Sequence, residues 1–206
     1  MTALTDPIDI VLFDLGGVLV DLGGVGPMKE LAEIENDDEF WRRWLTCRWV
    51  RGFERGECSP AEFAAGIIDD WELTAEPAVF LDAFQDWPGR MFSGAEKLVV
   101  EVRAKVPVGF LSNTNALHWE RHFGTWPILE KFDYRFLSFE LGIVKPDREL
   151  FDLVAELLPA AADRVLLLDD NLINVNGAID AGFLARHVRG ADGARAALVE
   201  FGVLKP

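Results

Sequence analysis

The chain has 206 residues, half of them hydrophobic, with 20 Lys and Arg set against 35 Asp and Glu. That length builds one sizeable α/β domain with a modest insertion and leaves little for two independent domains. A formal charge of −15 without clustered basic residues argues against nucleic acid or an anionic membrane surface as partner. It also requires that the charge of any bound phosphate be offset locally, by a metal ion or a placed lysine.

Residues 1–9 are short of basic residues and carry acids, so no secretory signal is expected. No apolar run approaches the ~20 residues that span a bilayer. Residues 8–13, Ile-Asp-Ile-Val-Leu-Phe, are apolar and rich in β-branched side chains, and Gly16-Gly17 follow closely. They predict a buried strand entering a tight loop. Residues 24–92 lack strand signals and carry helical spacing instead: Phe40, Trp41, Trp44, Leu45 and Trp49, then Phe63, Ile67 and Trp71, then Phe80, Leu81 and Phe84. Ser59-Pro60-Ala61-Glu62 has the form of a helix start, with Ser as N-cap, Pro at the first helical position and an acid in the first turn. At this spacing the tryptophans are expected to pack the core of a small helical insertion; a sugar-stacking platform is the alternative. Cys47 and Cys58 fall in the same segment, and a reduced, cytoplasmic protein is the simple expectation, with a structural disulfide as the alternative.

Beyond the insertion, strands are predicted at 106–111, 134–138, 164–168 and 183–188. Helices are predicted at 94–105, 116–123, 147–158 and 172–181. Strands alternating with helices of this length imply an α/β fold with a mostly parallel sheet covered on both faces. In such sheets ligands sit beyond the carboxyl ends of the strands, which is where the polar residues of this sequence fall.

Four strand-end segments carry chemistry. Asp14, followed by Leu15, Gly16 and Gly17, stands where backbone N–H groups can approach an anion; alone it equally fits a turn-capping Asp. Ser112 and Asn113 end a strand ahead of a helix, which suits an anion site or an ordinary N-cap. Lys145, just before Pro146, can neutralise a phosphate or bridge two carboxylates, or be a solvated surface lysine. Asp169 and Asp170 directly follow a continuous apolar strand, and their repulsion is relieved by a hard divalent cation such as Mg²⁺. The alternative is a helix cap by Asp170 with Asp169 exposed.

Taken in order, these segments resemble the haloacid dehalogenase superfamily over nearly the whole chain. Phe-Asp-Leu-Gly-Gly-Val, Leu-Ser-Asn-Thr-Asn, Gly-Ile-Val-Lys-Pro and Leu-Asp-Asp-Asn look most similar to its α-glucose-1-phosphate phosphatase group. Arg55-Gly56-Glu57 with Ala61-Glu62-Phe63 adds to that likeness. The resemblance implies a Rossmann-like core, residues 1–23 and 93–206, with a helical cap at 24–92 that closes over the site. It implies Asp14 as a nucleophile that forms an aspartyl-phosphate. Mg²⁺ would be held by Asp14, the carbonyl of Gly16, and Asp169 or Asp170, of which Asp170 aligns better with the usual ligand. Phosphoryl oxygens would be bound by the Leu15–Gly16 loop, Ser112, the Asn113 amide region and Lys145. A small phosphomonoester, with sugar phosphate favoured, is the implied substrate, and the implied protein is a monomer or homodimer.

One position departs from the superfamily's common pattern. Most of its phosphatases carry an aspartate two residues after the nucleophile as general acid and base; here that residue is Gly16, which cannot transfer a proton. His118 is a candidate donor, although its position on the expected helix reads as surface. His118 and His122, at i and i+4, are likewise read as surface residues rather than metal ligands. Asn174 is expected to stabilise the loop after the acids. A metal-independent 2-haloacid dehalogenase would also do without the second aspartate but would leave Asp169-Asp170 unexplained. A catalytically silent module that keeps the fold is the remaining alternative.

Overall fold

The computed structural model describes residues 7–23 and 25–206. Residues 1–6, part of the stretch in which no secretory signal is expected, and Gly24, where the insertion is expected to begin, lie outside the described residues. In chain order the elements are β1 (Ile10–Phe13), then α1 (Val25–Leu31), α2 (Asp37–Thr46), α3 (Arg48–Glu54), α4 (Pro60–Trp71) and α5 (Pro77–Gln85). There follow α6 (Ala95–Arg103), β2 (Val108–Ser112), α7 (Ala116–Arg121), β3 (Tyr134–Leu137), α8 (Ser138–Leu141), α9 (Arg148–Leu157), β4 (Val165–Asp169), α10 (Leu172–Asp180), β5 (Leu184–His187) and α11 (Gly190–Glu200). All five expected strands are present, with ends moved by at most two residues. The alanine-rich α11 has too few large apolar residues for its pattern to announce it.

The strands form one parallel sheet in the order β3-β2-β1-β4-β5, which bears out the expected fold class. Alternation sends Val11 and Phe13 of β1 to one face and Ile10 and Leu12 to the other. The first pair joins a core with Leu98, Val99 and Val102 of α6 and Ala194 and Leu198 of α11. The second joins Leu150, Phe151 and Val154 of α9 and Ala178 of α10. Strand order reverses at β1, and a crevice opens there beyond the carboxyl ends of β1 and β4. Register decides what meets in it: Phe13 lies opposite Leu168, so Asp14 and Asp169 leave the sheet side by side.

Helices α1 to α5 enclose an apolar cluster of their own, with Phe40, Trp44, Phe63, Ile67, Phe80 and Phe84 at its centre. The α4 start is a capping box as expected: Ser59 N–H donates to Glu62 Oε2 at 2.8 Å, and Glu62 N–H donates to Ser59 Oγ at 3.3 Å. Within α4, a Cβ on Gly66 would stand 2.1 Å from the Trp49 ring. The glycine costs the helix ~1 kcal/mol of propensity and gives the indole its seat. The chain enters and leaves this helical unit through two adjacent segments. Asp21 N–H donates to Arg90 O at 2.9 Å, Gly89 N–H to Asp21 O at 2.9 Å, and Phe92 N–H to Leu19 O at 2.9 Å.

Candidate active site

Lys145, 1% exposed, is the centre of the site. Its ammonium donates to Asp169 Oδ2 at 2.6 Å and to Leu111 O at 2.9 Å and forms an ion pair with Asp14 Oδ1 at 3.0 Å. Burial works against this charge, but the Asp14 and Asp169 carboxylates outweigh it and hold the lysine protonated well above its ordinary range. The surface reading of Lys145 is therefore overturned. Its loop is fixed by Asn113, whose side chain accepts from Lys145 N–H at 2.8 Å and donates to Lys145 O at 3.0 Å. That side-chain amide is thus occupied in tying two loops together. Leu15 N–H donates to Asp14 Oδ1 at 2.8 Å, and the Leu15 side chain packs in the core.

The two adjacent acids differ in environment. Asp169 is fully buried; besides Lys145 it accepts from Asn171 N–H at 2.8 Å and from Asn174 Nδ2 at 3.1 Å. Asn174 thereby steadies the acid loop, as expected. Asp170 instead faces the cavity, so the alternative of an exposed Asp169 beside a capping Asp170 is reversed. The cap of α10 is Asn171, whose Oδ1 accepts from Ile173 N–H at 2.9 Å. Gly17 makes room for Asp170: its φ is +69°, and a Cβ there would lie 1.9 Å from Asp170 Oδ2.

Oxygen atoms of Asp14, Asp169 and Asp170 lie within 4.8 Å of one another. Three carboxylates around one ammonium leave two negative charges in a buried place. Burial raises the Asp14 carboxyl well above the usual range, Lys145 opposes this, and Asp169 and Asp170 add to it. Burial and then Asp169 push Asp170 up to about 6, against Lys145, Arg189 and His187. A dication with a preference for oxygen matches both the missing charge and the donor set.

The site opens into a cavity of about 240 Å³ between the sheet edge and the helical unit, with Asp14, Gly16, Ser112, Asn113, Lys145 and Asp170 on its floor. Its roof includes Trp41, Trp44, Trp87, Phe84 and Glu54. Trp44 is packed in the helical core at 4% exposure, as expected, and also borders the cavity. Trp87 and Glu54 carry no local pattern that sets them apart, and only the tertiary fold brings them here.

The surface reading of His118 is overturned. The residue is 6% exposed; its Nε2 lies 2.7 Å from Phe84 O and its Nδ1 lies 3.2 Å from Asn115 Nδ2. A carbonyl can only accept, so Nε2 carries the proton and Nδ1 accepts. Burial lowers the imidazole to about 4. Neutral, and with its proton committed to a carbonyl, His118 is poorly suited to protonate a leaving group. His122 Nε2 likewise reaches Gln85 O at 2.7 Å, so the two histidines fasten α7 to the end of α5.

A parallel sheet with an aspartate, a hydroxyl and an acid pair at the carboxyl ends of its strands, and a buried lysine on the loop between α8 and α9, defines the haloacid dehalogenase-like hydrolases. Residues 8–182 match that family, and the chain belongs to it. Among individual proteins, it is 27% identical to a D-ribitol-5-phosphate phosphatase of Bacteroides thetaiotaomicron over 84% of this chain and 88% of that one. It is 24% identical to a pyrimidine 5'-nucleotidase of Escherichia coli over 65% of this chain and 62% of that one. A family enzyme of B. thetaiotaomicron, solved in complex with magnesium and inorganic phosphate, superposes with a TM-score of 0.67 at 26% identity, covering 88% of this chain and 94% of that one. An L-2-haloacid dehalogenase of Xanthobacter autotrophicus shares the fold, with a TM-score of 0.63 at 18% identity over 96% of this chain and 84% of that one.

Proposed function

We propose that this chain is a Mg²⁺-dependent phosphatase that hydrolyses a small phosphomonoester through an aspartyl-phosphate on Asp14. The observation that carries the reading is the cavity floor, where Asp14 meets Lys145 and Asp170 in a site short of two positive charges. Asp14, Asp170 and the Gly16 carbonyl are the proposed metal ligands, with Asp169 acting chiefly as the buried partner that aims Lys145. Bound there, Mg²⁺ would draw negative charge from the phosphoryl group and orient it. Lys145 restrains the Asp14 carboxylate and offsets charge on the transferring group, while the Ser112 hydroxyl and the Asn113 backbone hold its oxygens. Helices α1 to α5 form the proposed cap over residues 24–92, which excludes water during transfer.

Aromatic rings on the roof and a cavity of about 240 Å³ suit a small polyol or sugar as leaving group, since C–H faces stack on indoles while hydroxyls reach the polar rim. The named phosphatase relatives support this class. No helix among the described residues is long and apolar enough to cross a membrane, and a cytoplasmic setting is part of the proposal.

The test is turnover of p-nitrophenyl phosphate and a panel of sugar and polyol phosphates, with Mg²⁺ and with EDTA, by wild type and Asp14→Asn. Turnover that needs Mg²⁺ and is lost in the variant is expected. Wild-type rates in Asp14→Asn would remove the proposed nucleophile, and haloacid turnover in EDTA would transfer the chain to the dehalogenases.

A further inference from the structure

Gly16 leaves the reaction without the usual proton carrier, and His118 is engaged elsewhere. In-line displacement by Asp14 sends the leaving oxygen away from the core floor, toward the helical roof, so a replacement donor belongs on the roof. Glu54, the last residue of α3, lines the cavity there. We propose that Glu54 is the general acid and base of this enzyme, delivered to the core site by the helix that carries it.

Two observations bear on this independently. The first is positional. Arg51 and Arg55 flank Glu54 on the same helical stretch, and both grip Asp147, at 2.6 and 2.7 Å. Asp147 is two residues after Lys145, so the clamp ties the helix of Glu54 to the loop of the catalytic lysine. The Asp147 carboxylate makes no cap hydrogen bond to α9; the arginines have it instead. The second is chemical. Removal from water raises the Glu54 carboxyl to about 7, while Lys145, Arg51 and the Trp44 indole pull the other way. Its place at a helix C-terminus also disfavours the anion. The other elements packed on α3 carry Asp37, Glu39, Arg42 and Arg43 on α2, Glu62, Asp69 and Asp70 on α4 and Glu140 on α8, all exposed except the half-buried Arg43. A carboxyl poised near neutrality can give a proton in one step and take one in the next.

The steps balance. Asp14 Oδ attacks phosphorus, the bond from phosphorus to the leaving oxygen breaks, and the Glu54 carboxyl gives that oxygen its proton. Glu54, now a carboxylate, takes a proton from the water that attacks the aspartyl-phosphate. The bond from phosphorus to Asp14 then breaks, phosphate departs, and both residues return to their starting forms.

This assignment rests on the phosphatase reading, and the experiment separates the two. Wild type, Glu54→Gln and Glu54→Asp are compared on p-nitrophenyl phosphate and glycerol phosphate with Mg²⁺. The poor alkoxide leaving group needs a proton, so Glu54→Gln is expected to lose about 10²–10⁴-fold on glycerol phosphate, with Glu54→Asp partly restoring it. On p-nitrophenyl phosphate the variant should release a rapid burst of one equivalent of nitrophenolate and then slow, because water attack lacks its base. The wild-type decline in glycerol phosphate turnover above about pH 7 should vanish in Glu54→Gln. Equal losses on both esters without a burst, or an unchanged pH profile, overturn the role of Glu54 alone. No Mg²⁺-dependent turnover of any ester by wild type overturns the phosphatase reading and this role with it.

Discussion

Gly17 carries two demands that no other residue type meets. Its φ of +69° lies where L side chains are strained, and its missing Cβ gives the space that Asp170 Oδ2 occupies. Gly17→Ala is expected to cost ~1–2 kcal/mol of stability and to drive Asp170 off its position. Its signature is a Mg²⁺ titration of activity shifted at least about 10-fold to higher concentration, a discrimination worth ~1.4 kcal/mol. An unshifted titration would detach Asp170 from the metal. At this scale the sequence was legible wherever a residue's neighbours along the chain revealed its setting. Asp14, Ser112 and the Asp169-Asp170 pair each close an apolar run that announces a strand, whereas Lys145, expected at a strand end, lies instead on the loop after α8. Glu54 and His118 sit on helices whose exposure is decided by another part of the chain. By local pattern both look solvated, and tertiary burial reverses this.

Besides Leu117, which packs on the core of the helical unit, side chains fasten that unit to the sheet domain on two sides. The Arg51–Asp147–Arg55 clamp holds one side, and His118 and His122 hold the carbonyls at the end of α5 on the other. The histidine fastening has a pH sense. Burial puts His118 at about 4 in the fold, below the ~6.5 of an unfolded imidazole. Between these values the unfolded chain takes up a proton that the folded one refuses, so stability is full above about pH 6.5 and falls as pH drops. The slope from this group approaches ~1.4 kcal/mol per pH unit at most. Chemical denaturation at pH 7.5 and 5.0 should show the loss, and His118→Gln, which keeps a donor for Phe84, should show a shallower one. A variant with the wild-type slope would place the acid sensitivity elsewhere. Elements were legible where large apolar residues form an unbroken run, as in β1 and β4, or recur at helical spacing, as in α9. The small residues of α11 gave no such rhythm.

Across the whole molecule, a charge of −15 surrounds a site that is itself two charges short. The long-range field therefore repels an anionic substrate, and attraction must come from within a few ångströms. A dication that fills the gap binds the native state alone, because the three acids converge only there. Saturating Mg²⁺ at about 100 times its Kd is expected to add ~2.7 kcal/mol to stability. For a chain of this size that raises Tm by roughly 5–10 °C, and Asp170→Asn should lose most of the gain. Equal Mg²⁺ shifts in both proteins would place the ion outside this cluster. The overall architecture was legible from the alternation of strand and helix patterns, and the placing of ligands beyond the carboxyl ends of parallel strands made the crevice predictable. The depth of the cavity and the aromatic roof were not, since both arise from how five helices fold back over a distant sheet edge.

The pair of segments through which the chain enters and leaves the helical unit has a mechanical consequence. Val20 accepts from Gly17 N–H at 2.8 Å and donates to Leu15 O at 2.8 Å, while its neighbour Asp21 donates to Arg90 O at 2.9 Å. The turn that carries Asp14 and the strap from which the helical unit hangs are thus a single hydrogen-bonded piece of backbone. Rocking of the roof levers directly on the residues beside Asp14. Side chains facing the cavity can be exchanged to suit different alcohols, whereas the strap must keep its length and shape for the machine to stay in register.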